Sequence, residues 1–121
     1  MRTQKIHIPI FDYDLTVVEI EVNDNGRQLS KLMKGFECKE EDIDSQQEYI
    51  DKHCMDGGNC FRNLDKKSFL VILLPCTSEG RRRNVLAHEL RHVVDRLCEH
   101  INIEDIETPA YITGYIYEKL K

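Results

Sequence analysis

A chain of 121 residues is the length of one domain with a single modest core. Seventeen basic against twenty-two acidic residues leave a net charge of -5, which argues against nucleic-acid binding as the main function. No apolar run is long enough to span a bilayer, and Met1-Arg2-Thr3-Gln4-Lys5 leads into a strand-like pattern instead of a signal peptide, so a non-membrane, cytoplasmic protein is expected.

Lys5-Ile6-His7-Ile8-Pro9-Ile10 alternates polar and apolar, the period of a half-buried strand, with Pro9 at its end or on a sheet edge. Asp12-Tyr13-Asp14 reads as a turn into a second, β-branched strand, Leu15 to Val22, so the two form a hairpin. Asn23-Asp24-Asn25-Gly26 breaks that pattern. Leu29, Leu32, Met33 and Phe36 then have helical spacing, with Asn23 or Asp24 as cap. Residues 37–56 are acidic and short of apolar side chains. They are expected to form a long surface segment, with at most a short helix around Ser45 to Ile50, free to act as a flap.

Asn59 to Asn63 reads as a short strand. Ser68-Phe69-Leu70-Val71-Ile72-Leu73-Leu74, stopped by Pro75, has the continuous apolar character of a central strand buried on both faces. Cys38, Cys54, Cys60, Cys76 and Cys98 are an odd number without a regular framework, which argues against a disulfide-stapled secreted domain. His53, Cys54 and Cys60 match no common zinc-finger spacing, so free thiols are expected there.

Ser78 is placed to cap a helix on which Leu86, Leu90, Val93, Val94, Leu97 and Ile101 make one apolar stripe. His88 and His92 fall on its polar side within His88-Glu89-Leu90-Arg91-His92. Residues four apart on a helix lie one above the other, so the two imidazoles can share one metal ion. Glu89, one step round, can reach a water beside that metal. The plain alternative is an amphipathic helix whose solvated face happens to carry these groups. Asp95, one turn beyond His92, can fix a ring tautomer or pair with Arg91 or Arg96.

Pro109 suits the first turn of a last helix, capped by Asp105 or Thr108. Glu107, Ala110 and Gly114 are spaced three and four apart, a small-residue face that permits close approach to the preceding helix. Glu107 can then be a third ligand, with Glu104, Asp105 and Glu99 as rivals. Tyr111, one turn beyond Glu107, can donate to a developing oxyanion or serve as a core aromatic.

The order of elements predicts a single α+β domain over residues 1–121. Its helices pack mainly on one face of a small antiparallel or mixed sheet of about four strands. The strand ending Ile8-Pro9-Ile10, the Leu-rich strand before the long helix, Ala87-His88-Glu89-Leu90-Arg91-His92-Val93-Val94-Asp95, and Glu107 through Tyr115 with Ala110, Tyr111, Ile112 and Gly114 resemble small gluzincin-type proteins. These are zinc metallopeptidase-like proteins of phages and bacterial mobile elements. The resemblance runs along most of the chain, but its specific motifs lie in the last two helices. It implies a minimal zincin-like fold and one zinc per chain on His88, His92 and Glu107. The activity expected is zinc-dependent hydrolysis of a protein or peptide substrate, with Glu89 as general base and Tyr111 assisting. The alternative within that fold is a metal-binding regulatory or partner-binding module that does not cleave. Substrate identity and oligomeric state have no signal in the sequence.

Overall fold

In the computed structural model, which describes residues 1–121, the chain runs β1 (Arg2–Ile8), β2 (Tyr13–Glu19), α1 (Arg27–Gly35), α2 (Glu40–Asp51), β3 (Gly58–Asn63), β4 (Ser68–Leu73), α3 (Glu79–His100) and α4 (Glu107–Lys119). The strands form one mixed sheet in the order β1-β2-β4-β3. β1 and β2 make the expected antiparallel hairpin, with Ile6 opposite Leu15. β2 pairs parallel to β4, with Leu15 opposite Phe69, and β3 closes the other edge antiparallel to β4. β1 ends at Ile8, just before Pro9, where a missing N–H no longer interrupts a ladder.

β4 is buried throughout and feeds two cores. Phe69, Val71 and Leu73 point to one face, where they meet Leu86, Leu90, Val93 and Val94 of α3 and Ile112 and Ile116 of α4. Leu70, Ile72 and Leu74 point to the other, against Leu29 and Met33 of α1 and Ile43 and Ile50 of α2. Alternate side chains of a strand leave on opposite faces, so a continuous apolar run requires a cover on each. The helices are therefore divided between both faces, which corrects the expectation of packing mainly on one.

Two further expectations are corrected. Residues 40–51, expected as part of a surface segment with a short helix around Ser45 to Ile50, form the longer, 12-residue α2. Its buried face consists of Ile43, Gln46 and Ile50 alone. Two aliphatics among many acids gave little periodic signal, yet they suffice to seat the helix. Glu40, Glu41 and Asp42 also favour its positive N-terminal end. α1 begins at Arg27 behind Gly26, whose φ of 86° is the left-handed region that favours glycine. Asp24 is engaged elsewhere, accepting hydrogen bonds from the Glu21 N–H and the Met1 ammonium.

α3 carries the site. Ser78, in extended conformation, accepts a hydrogen bond from the Arg81 N–H at 3.1 Å, as expected of its cap. Val85, Leu86, Leu90, Val93, Val94, Leu97 and Cys98 bury one side of its 22 residues. Arg82 ties its first turn to Glu19 at the end of β2, and Arg2 of β1 reaches the same carboxylate at 2.6 Å. No helix is long and apolar enough to cross a membrane.

Candidate metal and catalytic cleft

β3 is an edge strand, and the cleft forms where α3 overhangs it. Gly58, Asn59, Cys60 and Arg62 from β3 face His88, Glu89, His92 and Arg96 from α3 across about 360 Å³. The two elements are in close contact at Gly58. A Cβ there would stand 2.9 Å from Val85 Cγ1 and 3.0 Å from both Glu89 Cγ and the Ile72 carbonyl oxygen. Only a residue without a side chain lets the edge strand pass beneath Glu89.

His88 and His92 converge in that cleft. Their Nε2 atoms are 3.2 Å apart, with the ring planes at 79°. In the protein alone this approach is an N–H···N hydrogen bond, one ring donating to the other. Two imidazole nitrogens on one tetrahedral zinc, each at about 2.0–2.1 Å, stand about 3.3 Å apart. The helix thus presents the pair at the separation that one zinc ion requires. The donor set, two unencumbered imidazole nitrogens beside a carboxylate, also suits that metal.

Glu89 differs from the other polar groups of α3 in being buried, at 6% exposure. Its carboxylate is 3.9 Å from His88 Nε2. Burial raises its pKa above the ordinary carboxylate value, and the neighbouring His88 and His92 only partly oppose this. Cys60 is the cleft's thiol. Burial, reinforced by the charge of Glu89 and partly offset by Arg96 and Arg62, pushes its pKa up to about 12. In the protein alone it is therefore a protonated thiol. All five cysteines are free.

The other expected residues lie elsewhere. α4 packs against α3 and β1, at the sheet edge opposite β3. Its buried side is Ile112 and Ile116. Glu107 and Ala110 are exposed, and a Cβ added at Gly114 would meet nothing within 4 Å. The small-residue face expected to press on the preceding helix therefore faces solvent. The structure brings no group of three His, Cys, Asp or Glu side chains together for a metal, so Glu107 does not join His88 and His92 here. Of its rivals, Asp105 caps α4 through the Thr108 N–H and hydroxyl, while Glu99 and Glu104 are exposed. Tyr111, 62% exposed, stands beside Ile8, Pro9, Ile10 and Phe11 and does not line the cleft. The two carboxylate oxygens of Asp95 share the single Arg91 Nε–H, at 2.9 and 3.0 Å, and Asp95 makes no bond to either histidine ring.

Gly58 and Arg62 have no role in the site expected from the sequence, and Arg96 only that of a surface partner for Asp95. Arg96 carries a signal in hindsight, four residues beyond His92 on the same stripe. Gly58 and Arg62 depend on the pairing of β3 and carry none. No protein-family model, curated protein or solved structure matches the chain.

Proposed function

We propose that the cleft between α3 and β3 is a zinc-dependent peptide-hydrolysing site. The observation that carries this reading is the convergence of the His88 and His92 Nε2 atoms at 3.2 Å beside the buried carboxyl of Glu89. His88 and His92 would hold the ion, leaving coordination positions for water and substrate. Zinc bound there supplies Lewis acidity, polarising a carbonyl and acidifying a water.

The chain's own groups do the rest. Glu89, with its pKa raised by burial, is suited to accept a proton from water and return it to a leaving amine. Its position under the histidines is set by Leu90, buried at 1%, on one side and by Gly58 on the other. An edge strand beside the histidines suits an extended peptide substrate. Five free thiols agree with a reducing, cytoplasmic setting.

A second reading is favoured by one observation: the solvent-facing α4 surface leaves Glu107 outside the histidine pair. In it, the domain binds metal and serves as a regulatory or partner-binding module without cleaving. The deciding experiment incubates the zinc-loaded protein and its Glu89→Gln variant with a panel of unfolded proteins. The peptidase reading expects cleavage by the parent protein and its loss in the variant, with zinc retained in both. Zinc retention without cleavage by either assigns the binding module. Equal cleavage by both removes Glu89 from its role.

A further inference from the structure

We propose that Arg62 and Arg96 form a carboxylate-binding subsite at one end of the cleft, so that the peptide taken there carries an acidic group within about two residues of the bond presented to Glu89. The proposal deepens the peptidase reading and rests on it for what happens at the histidines; the contact with the anion stands on the two arginines alone.

The placement follows from two periodicities. His88, His92 and Arg96 are successive residues of one α3 stripe, each step along the axis about 6 Å. Cys60 of β3 packs into the core beneath α3 while Phe61 packs into the opposite core, so Arg62 returns to the α3 side. Gly58 lies beneath Glu89, and Cys60 follows in the field of Glu89, Arg96 and Arg62 together. Both arginines therefore line the cleft at its end beyond Cys60. An extended peptide advances about 3.3 Å per residue, so one turn of α3 past His92 corresponds to about two peptide residues.

Charge bookkeeping within the fold points the same way. The chain has five more acidic than basic residues, and three of the four other α3 arginines find them: Arg91 pairs with Asp95, Arg82 with Glu19 and Glu79, and Arg83 with Glu79, while Arg81, outside the cleft, makes no ion pair. Arg62 and Arg96 line the cleft without a carboxylate partner. The one acid lining it, Glu89, is tucked beneath the histidines with 8% of its side chain exposed. Two planar guanidinium forks left unpaired at one end of a groove match a carboxylate, which each can bind through paired N–H donors.

The test measures binding rather than turnover. Fluorescence anisotropy of labelled hexapeptides is read with the zinc-loaded Glu89→Gln protein and with the same protein also carrying Arg62→Gln and Arg96→Gln. The peptides are one with a central Glu and an amidated C-terminus, its Gln counterpart, and the Gln peptide with a free C-terminus. A carboxylate-bearing peptide should bind about tenfold tighter than the amidated Gln peptide, and the preference should vanish with the arginines, while zinc content stays unchanged. Which of the two carboxylate peptides gains shows whether a side chain or the chain end is recognised. Equal or undetectable binding of all three, or a preference that survives loss of both arginines, overturns the proposal. Failure to take up zinc, with the arginine-dependent preference intact, would sink the peptidase reading and leave the subsite standing.

Discussion

Gly58 passes beneath Glu89 so closely that a Cβ on the glycine would lie 3.0 Å from Glu89 Cγ. The edge strand and the HExxH helix are thus locked together at the residue proposed as the general base. Gly58→Ala must push against Val85, Glu89 and the Ile72 carbonyl at once. Two of these are packed side-chain atoms of α3, which must turn or shift with the helix, and the third is sheet backbone. Overpacking of this kind costs about 1–3 kcal/mol, and chemical denaturation should show a loss in that range. Gly35→Ala, where nothing lies within 4 Å of the added carbon, provides the comparison and should lose nothing.

Acid should weaken the domain through Glu19. Burial disfavours its charge, but hydrogen bonds and charge from Arg82 and Arg2 outweigh that and hold its pKa below the ordinary value. A carboxylate with a depressed folded pKa contributes stability that is fully present above its unfolded value of about 4.3. That contribution is lost as pH falls through the folded pKa. Denaturation of the parent protein should therefore steepen below about pH 4.3, and Glu19→Gln should flatten that slope. An unchanged slope in the variant would show that the tie from β2 to α3 does not respond to acid.

The long strand and the long helix were legible because their patterns have single causes. Phe69 to Leu74 is apolar at every position since both faces of β4 are covered, and Ser78 marks the start of α3 by its own side chain. α2 was legible only in its second half, around Ser45 to Ile50: two aliphatics and a glutamine bury it among six acids, a pattern that propensity alone reads as surface. At the site, the i,i+4 relation of His88 and His92 needs only the local helix, so it could be read directly. The facing wall could not, because Gly58, Cys60 and Arg62 reach the cleft through the antiparallel register of β3 on β4. α4 shows the opposite hazard. Glu107, Ala110 and Gly114 do share a face, but periodicity cannot say which face is buried, and Ile112 and Ile116 take that role.

That orientation makes Glu107 a test of the gluzincin resemblance. With α4 as it stands, Glu107→Gln and Glu104→Gln should each leave zinc affinity within about threefold of the parent protein, because neither carboxylate belongs to a metal-holding group. A chelator competition compares the two variants side by side. A loss of tenfold or more confined to Glu107→Gln would mean that α4 turns its small-residue face inward when metal binds. The resemblance would then be right about the third ligand.

The central claim is that His88 and His92 hold one zinc ion, and the most direct measurement is zinc stoichiometry after equilibrium dialysis at neutral pH. The parent protein is compared with the His88→Ala, His92→Ala double variant. Both rings are largely exposed, so the fold should survive their removal, which circular dichroism can verify. The account predicts one zinc per chain in the parent protein and none in the variant. A variant that keeps its zinc, or a parent protein that takes none, contradicts it.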